Sequence, residues 1–172
     1  MGNQAGIIIR NVKNELFQSA NRLILNEVKG IECLLFNINM KIIETGFEGL
    51  YILETINFQD ERGRFQKMFN SDFFRENGLD TDFKEFYFSV NNKGVRRGMH
   101  FQIPPFEHTK LVYVSNGRIL DVCVDIRRQS PTYGKCFSIE LDDTKAQYLY
   151  IPKGFAHGFL SLEDGSIVNY AQ

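Results

Sequence analysis

An all-β protein, arranged as a sandwich or barrel, is the fold class that these 172 residues predict. Three observations carry that expectation. From Met40 onward, short runs of alternating apolar and polar residues recur, rich in Val, Ile, Tyr and Phe. Turn signals separate them, among them Asn92-Lys93-Gly94, Pro104-Pro105, Asn116-Gly117 and Asp164-Gly165. One interruption, "SDFFRENG", reads as a short helix, with Ser71 as its cap and Gly78 as its stop.

The first 39 residues differ in texture. In "NELFQSANRLILNEV", Leu16, Phe17, Ala20, Leu23, Ile24 and Val28 recur at helical spacing. This predicts an N-terminal helical extension over residues 1–39, ahead of a β domain over 40–172. Net charge is −1, with Lys and Arg dispersed. That argues against a nucleic-acid surface while leaving room for a local basic pocket. No stretch is apolar and long enough for a membrane span. The N-terminus lacks the basic start and continuous apolar run of a signal peptide. The three cysteines, Cys33, Cys123 and Cys136, are odd in number and lack C-x-x-C spacing. A reduced, cytoplasmic protein is the expectation.

The strands can be read closely. "GVRRGMHFQ" carries Arg97, His100 and Gln102 where apolar residues would be usual. Strict alternation sets Arg97 on the face opposite His100, unless a twist or bulge intervenes. "KLVYVSNGRILDVCVDIR" reads as a hairpin turning at Asn116-Gly117. Its register pairs Val112 with Asp121 and Lys110 with Cys123. One face then carries Lys110, Val112, Val114, Ile119, Asp121 and Cys123. "AHGFLSLEDGSIVNYA" reads as a second hairpin at Asp164-Gly165, pairing Phe159 with Tyr170. His157, Phe159, Ser161, Val168 and Tyr170 then share a face.

If both faces line one interior, His100, Lys110, Asp121, His157 and Tyr170 meet there. An imidazole, with an ordinary pKa of about 6.5, suits proton abstraction near neutral pH. It could take a proton from a carbon beside a ketone. A lysine could stabilise the resulting enolate, and a tyrosine could return a proton to the opposite face. Removal on one face and return on the other is epimerisation. Against this stand plainer readings: a structural histidine, an ion pair at a strand edge, and a tyrosine filling the core.

The segments "DERGRF", "GVRRGMHFQ", "KLVYVSNGRILDVCVDIRRQSPTYGK" and "IPKGFAHGFL" occur in one order. Together they closely resemble the nucleotide-sugar 3,5-epimerases typified by dTDP-4-dehydrorhamnose 3,5-epimerase. The resemblance runs from about Met40 to Gln172. It implies a cupin-type jelly roll, usually homodimeric, without metal or organic cofactor. The implied substrate is a nucleotide-linked 4-keto-6-deoxy sugar, made for rhamnose-type and surface polysaccharides. By motif, His100 corresponds to the general base, Tyr170 to the general acid and Lys110 to the enolate-stabilising lysine. Asp121 corresponds to an acidic residue near the base, and His157 to a pocket residue. Arg62 and Arg97 correspond to residues that hold the diphosphate.

This chain departs from the family pattern at several places. Lys67 stands where a glutamate is usual, five residues after the "DERG" arginine. Glu85 and Tyr87 stand in place of a substrate-contacting Gln-x-Asn pair. These changes imply another nucleotide or another keto-sugar at the same subsites. Family members continue beyond the tyrosine that Tyr170 matches, with further strands and an aspartate that orients the base. Weak or absent turnover by the 172-residue chain is the corresponding expectation. Three alternatives stay open: a sugar-nucleotide 3,4-ketoisomerase, a metal-dependent cupin, and a non-catalytic binding protein. The metal reading has a poor ligand set, since His100, His108 and His157 form no H-x-H pair. His108, in a Pro-bounded loop, is expected to be exposed and incidental.

Overall fold

The computed structural model describes residues 40–55 and 57–172. The helix expected within residues 1–39, and the extension itself, lie outside the described residues. In chain order the elements are β1 (Lys41–Glu44), β2 (Tyr51–Glu54), β3 (Phe58–Asp60), β4 (Gly63–Phe65), α1 (Ser71–Glu76), β5 (Phe86–Asn91), β6 (Arg96–His100), β7 (Lys110–Asn116), β8 (Arg118–Asp125), β9 (Cys136–Asp142), β10 (Gln147–Ile151), β11 (Phe155–Ser161) and β12 (Ser166–Ala171). A six-stranded sheet runs β1-β2-β10-β7-β12-β5, and a four-stranded sheet runs β6-β11-β8-β9. β3 and β4 form a separate hairpin. From β5 to β12 the chain crosses between the two antiparallel sheets at every step except β8 to β9, and the fold is a cupin-type jelly roll.

This corrects both hairpin registers. β7 and β8 flank Asn116-Gly117 but belong to different sheets. β7 pairs with β10 and β12, and β8 pairs with β9 and β11. β11 and β12 likewise separate at Asp164-Gly165. Each turn carries the chain across the sandwich instead of folding it back within one sheet. The predicted faces nevertheless come together, because alternation aims both sets into the space between the sheets. Val112, Val114, Ile119, Cys123, Phe159, Val168 and Tyr170 all lie in the inter-sheet core.

The opposite face of the larger sheet has its own cover. Leu111, Tyr148, Tyr150 and Ala171 point outward there and pack with Leu53, Phe74 and Leu79. Phe74 is the buried residue of α1. The cap of α1 is Asn70, not Ser71: its side chain accepts hydrogen bonds from the backbone N–H of Asp72 and Phe73, both at 3.0 Å. Ser71 is the first helical residue. Gly78 follows the helix with φ +69°, as a helix stop requires.

Candidate active site

The side chains that line the candidate site come from five strands of both sheets. Tyr87, Ser89, Arg97, His100, Lys110, His157, Gly158, Phe159 and Tyr170 border a cavity of about 300 Å3. A second cavity, of about 390 Å3, shares Tyr87, His100 and Lys110 with the first. Gln102, Phe101, His108 and Gln172 line its far side.

β6 delivers two of these residues through an irregular pairing. His100 lies opposite His157, and Arg97 lies opposite Phe159, so three steps on β6 match two on β11. That extra residue is a bulge, and it cancels the alternation that would separate Arg97 from His100. Gly98 sits within it at φ +111°, a conformation few side-chain-bearing residues adopt. A Cβ at Gly98 would stand 2.6 Å from both the Gly158 Cα and the His157 carbonyl oxygen. A Cβ at Gly158 would meet the Arg97 carbonyl oxygen at 2.7 Å. Two glycines thus let the β6 and β11 backbones touch where the histidines emerge.

Beneath the cavity, Asp121 is fully buried. Its Oδ2 accepts a hydrogen bond from His157 Nε2 at 2.8 Å. The acidic residue expected near the base therefore bonds to His157, the cross-strand neighbour of His100. Asp121 Oδ1 is buried with no hydrogen-bond partner among the described residues. Burial lowers the pKa of Lys110. Burial also pushes the Tyr170 phenol up to about 12, against a smaller opposing effect of its hydrogen bond with Ser89. A phenol so shifted stays protonated throughout the neutral range and can serve as an acid.

Tyr170 lies opposite Tyr87 on β5, and the two rings stack with centroids 4.8 Å apart. Arg97 Nε donates to Asn91 Oδ1 at 2.7 Å. Arg62, Lys67 and Glu85 border neither cavity. Arg62 is at the β3–β4 turn, with its guanidinium on Asp60 at 2.6 Å. The Lys67 carbonyl accepts from Tyr148 Oη at 3.5 Å, on the outer face of the larger sheet. Glu85 exchanges backbone hydrogen bonds with Gln172 just beyond β5. His108 is half-buried rather than exposed, and its Nε2 lies 3.2 Å from Gln172 Oε1. Ser89 and Gly158 line the cavity and Asn91 holds Arg97, and none of the three is marked as a site residue by motif. Alternation from Tyr87 could have found Ser89 and Asn91, and a glycine inside a strand signals close backbone approach.

The arrangement joins an imidazole, a partly buried ammonium and a protonated phenol around one cavity. A family model described as dTDP-4-dehydrorhamnose 3,5-epimerase matches residues 44–172. The enzyme of that name from Methanothermobacter thermautotrophicus is 45% identical over 130 residues, covering 76% of this chain and 70% of its own. The Escherichia coli enzyme is 42% identical over 126 residues, covering 73% of this chain and 68% of its own. Among solved structures, the Bacillus anthracis dTDP-4-dehydrorhamnose 3,5-epimerase with TDP and pyrophosphate bound superposes with a TM-score of 0.74 at 39% identity, covering 77% of each chain. The Legionella pneumophila dTDP-6-deoxy-D-glucose-3,5-epimerase, in complex with dTDP-4-keto-L-rhamnose, gives 0.74 at 39% identity, covering 77% of this chain and 71% of its own. Motif order, jelly-roll topology and these likenesses converge: this chain belongs to the dTDP-4-dehydrorhamnose 3,5-epimerase family.

Proposed function

We propose that this protein epimerises C3, C5 or both in a nucleotide-linked 4-keto-6-deoxy sugar, in the cytoplasm, for rhamnose-type polysaccharide synthesis. One observation carries the reading: His100, Lys110 and Tyr170 border a single cavity. His100 removes the proton beside the ketone. Lys110 faces the developing enolate oxygen, where a cation in a partly dehydrated site stabilises charge most effectively. Tyr170 returns a proton to the opposite face. Arg97 takes the diphosphate through its planar set of donors. His157, held by Asp121, presents its other ring nitrogen to the substrate. The test is solvent-deuterium incorporation at C3 and C5 in wild type and His100→Ala, with dTDP- and GDP-linked 4-keto sugars compared. Exchange in wild type and its loss in the variant support the assignment. A product with the ketone moved to C3 would identify a ketoisomerase instead.

The same chemistry is expected in a homodimer. β5 is an edge strand of the six-stranded sheet. Phe86, Phe88 and Val90 form an exposed apolar row on its outer side, at 72%, 64% and 56% exposure. Phe101, Ile103 and Phe106 are exposed as well. An uncovered apolar edge of this kind favours pairing, and a second copy of the chain is the proposed cover.

A further inference from the structure

We propose that Ser89 and Asn91 form a one-way hydrogen-bond relay that turns the Tyr170 proton into the cavity, making both of them positioning residues for proton return. The proposal rests on the role assigned to Tyr170 above. Its starting point is Arg97, whose guanidinium can only donate. Arg97 Nε donates to Asn91 Oδ1 at 2.7 Å, which settles which end of the amide is oxygen. Asn91 Nδ2 must then face the other way. It lies 3.1 Å from both Ser89 Oγ and the Ser89 carbonyl oxygen, and 3.0 Å from the Ser166 carbonyl oxygen, so its two protons are shared among three acceptors. Asn91 is itself 1% exposed, so its orientation is held by packing as well as by these bonds.

Because Asn91 Nδ2 can only donate, Ser89 Oγ accepts from it. The relay assigns the Ser89 hydroxyl proton to Tyr170 Oη, at 3.4 Å, where either oxygen is chemically able to donate. That distance is long, as hydrogen bonds in unliganded sites often are before substrate tightens them. With Ser89 donating, the Tyr170 oxygen acts as acceptor there and its own proton points elsewhere. The ring stacks on Tyr87 on one side, and the cavity is the open direction. Donation thus runs Arg97, Asn91, Ser89, Tyr170 and then substrate. An anion that engages Arg97 is thereby coupled to the group that delivers the proton.

The direction of the Ser89 bond has a measurable sign. A donor to the phenol oxygen favours the phenolate, whereas an acceptor of its proton favours the neutral phenol. Around the hydroxyl stand Tyr87 on β5, Arg97 and His100 on β6, Lys110 on β7, Asp121 on β8 and His157 on β11, all retained in a Ser89 variant. The experiment places difluorotyrosine, a more acidic phenol, at position 170 of the full chain and titrates it by fluorine NMR. Ser89→Ala is expected to raise the midpoint by about one pH unit, a tenfold change in the ionisation constant. Ser89→Thr keeps the hydroxyl and is expected to restore it. A lowered or unmoved midpoint in Ser89→Ala would overturn the relay. The titration needs no turnover, so it separates the relay from the enzymatic assignment. If the shift has the expected sign while wild type exchanges no deuterium, the relay stands and the epimerase reading falls. Where turnover is present, Ser89→Ala is expected to lower kcat about tenfold with little change in KM.

Discussion

Tyr170 and His100 are the residues on which the chemistry turns, and their environments differ. His100 emerges at the end of β6 on an exposed stretch, whereas Tyr170 is 8% exposed at the cavity wall. A base needs access to substrate, and an acid needs to keep its proton. Burial does the second for Tyr170, by holding its pKa near 12. Tyr170→Phe removes one hydroxyl from the cavity wall and leaves the ring stacked on Tyr87. It is expected to lower the epimerisation rate by about 100- to 10,000-fold, the usual span for a lost proton-transfer group. Deuterium incorporation from solvent should survive at whichever carbon His100 alone can exchange, and NMR of the recovered sugar checks it. A variant with both inversion and rate intact would remove Tyr170 from the mechanism.

The β6–β11 contact shows how an element can decide a site. Gly98 and Gly158 face each other across the bulge, at distances that leave no room for a methyl group. Gly98→Ala must push β6 off β11 or flatten the bulge, and either motion moves Arg97 and His100 together. A displacement near 1 Å at a reacting group costs on the order of 100-fold in rate. The expectation is therefore a large loss of activity, with added backbone strain of about 1–3 kcal/mol seen in urea unfolding. The helix α1 offers a contrast. Asn70→Ala deletes a cap that serves two backbone donors, and should cost about 1 kcal/mol in the same assay. Since α1 packs on the outer face of the larger sheet, catalytic constants of the folded variant should not change.

Across the molecule, titrating groups set a stability window. Burial opposes ionisation of Asp125, but hydrogen bonds from Arg127, Ser130 and Thr132 outweigh it and hold its pKa well below the ordinary 3.8. Burial likewise opposes ionisation of Asp142, yet bonds from Thr144 and Lys145 bring it to about 2. The stability these groups contribute is present above pH 3.8 and lost as pH falls towards 2. At the other end, burial raises the phenols of Tyr148, Tyr150, Tyr113 and Tyr170. Their contribution is complete below pH 10 and lost as pH rises towards 12. Urea midpoints measured from pH 2 to 12 should show a plateau falling at both ends, and Asp125→Asn should blunt the acid limb. The outer row on β5 has its own test. Phe86→Lys combined with Phe88→Lys should convert a dimer to a monomer in sedimentation, while wild type sediments as a dimer.

Alternation along each strand was enough to aim Val112, Asp121, Phe159 and Tyr170 at a common interior, because side-chain direction is a local property of extended chain. Motif order likewise marked His100, Lys110 and His157, all of which border the cavity. Strand pairing was not legible. Asn116-Gly117 and Asp164-Gly165 look like hairpin turns, yet β7 pairs with β10 and β12, β11 with β6 and β8, and β12 with β5 and β7, none of them the strand across its own turn. Arg62, Lys67 and Glu85, marked by motif position, border neither cavity. Local alternation sends Arg97 away from His100, and a bulge against Gly158 brings it back. The direction of a side chain depends on two neighbouring residues, and so it can be read in the chain; which backbone lies across from it depends on the closure of the whole sandwich.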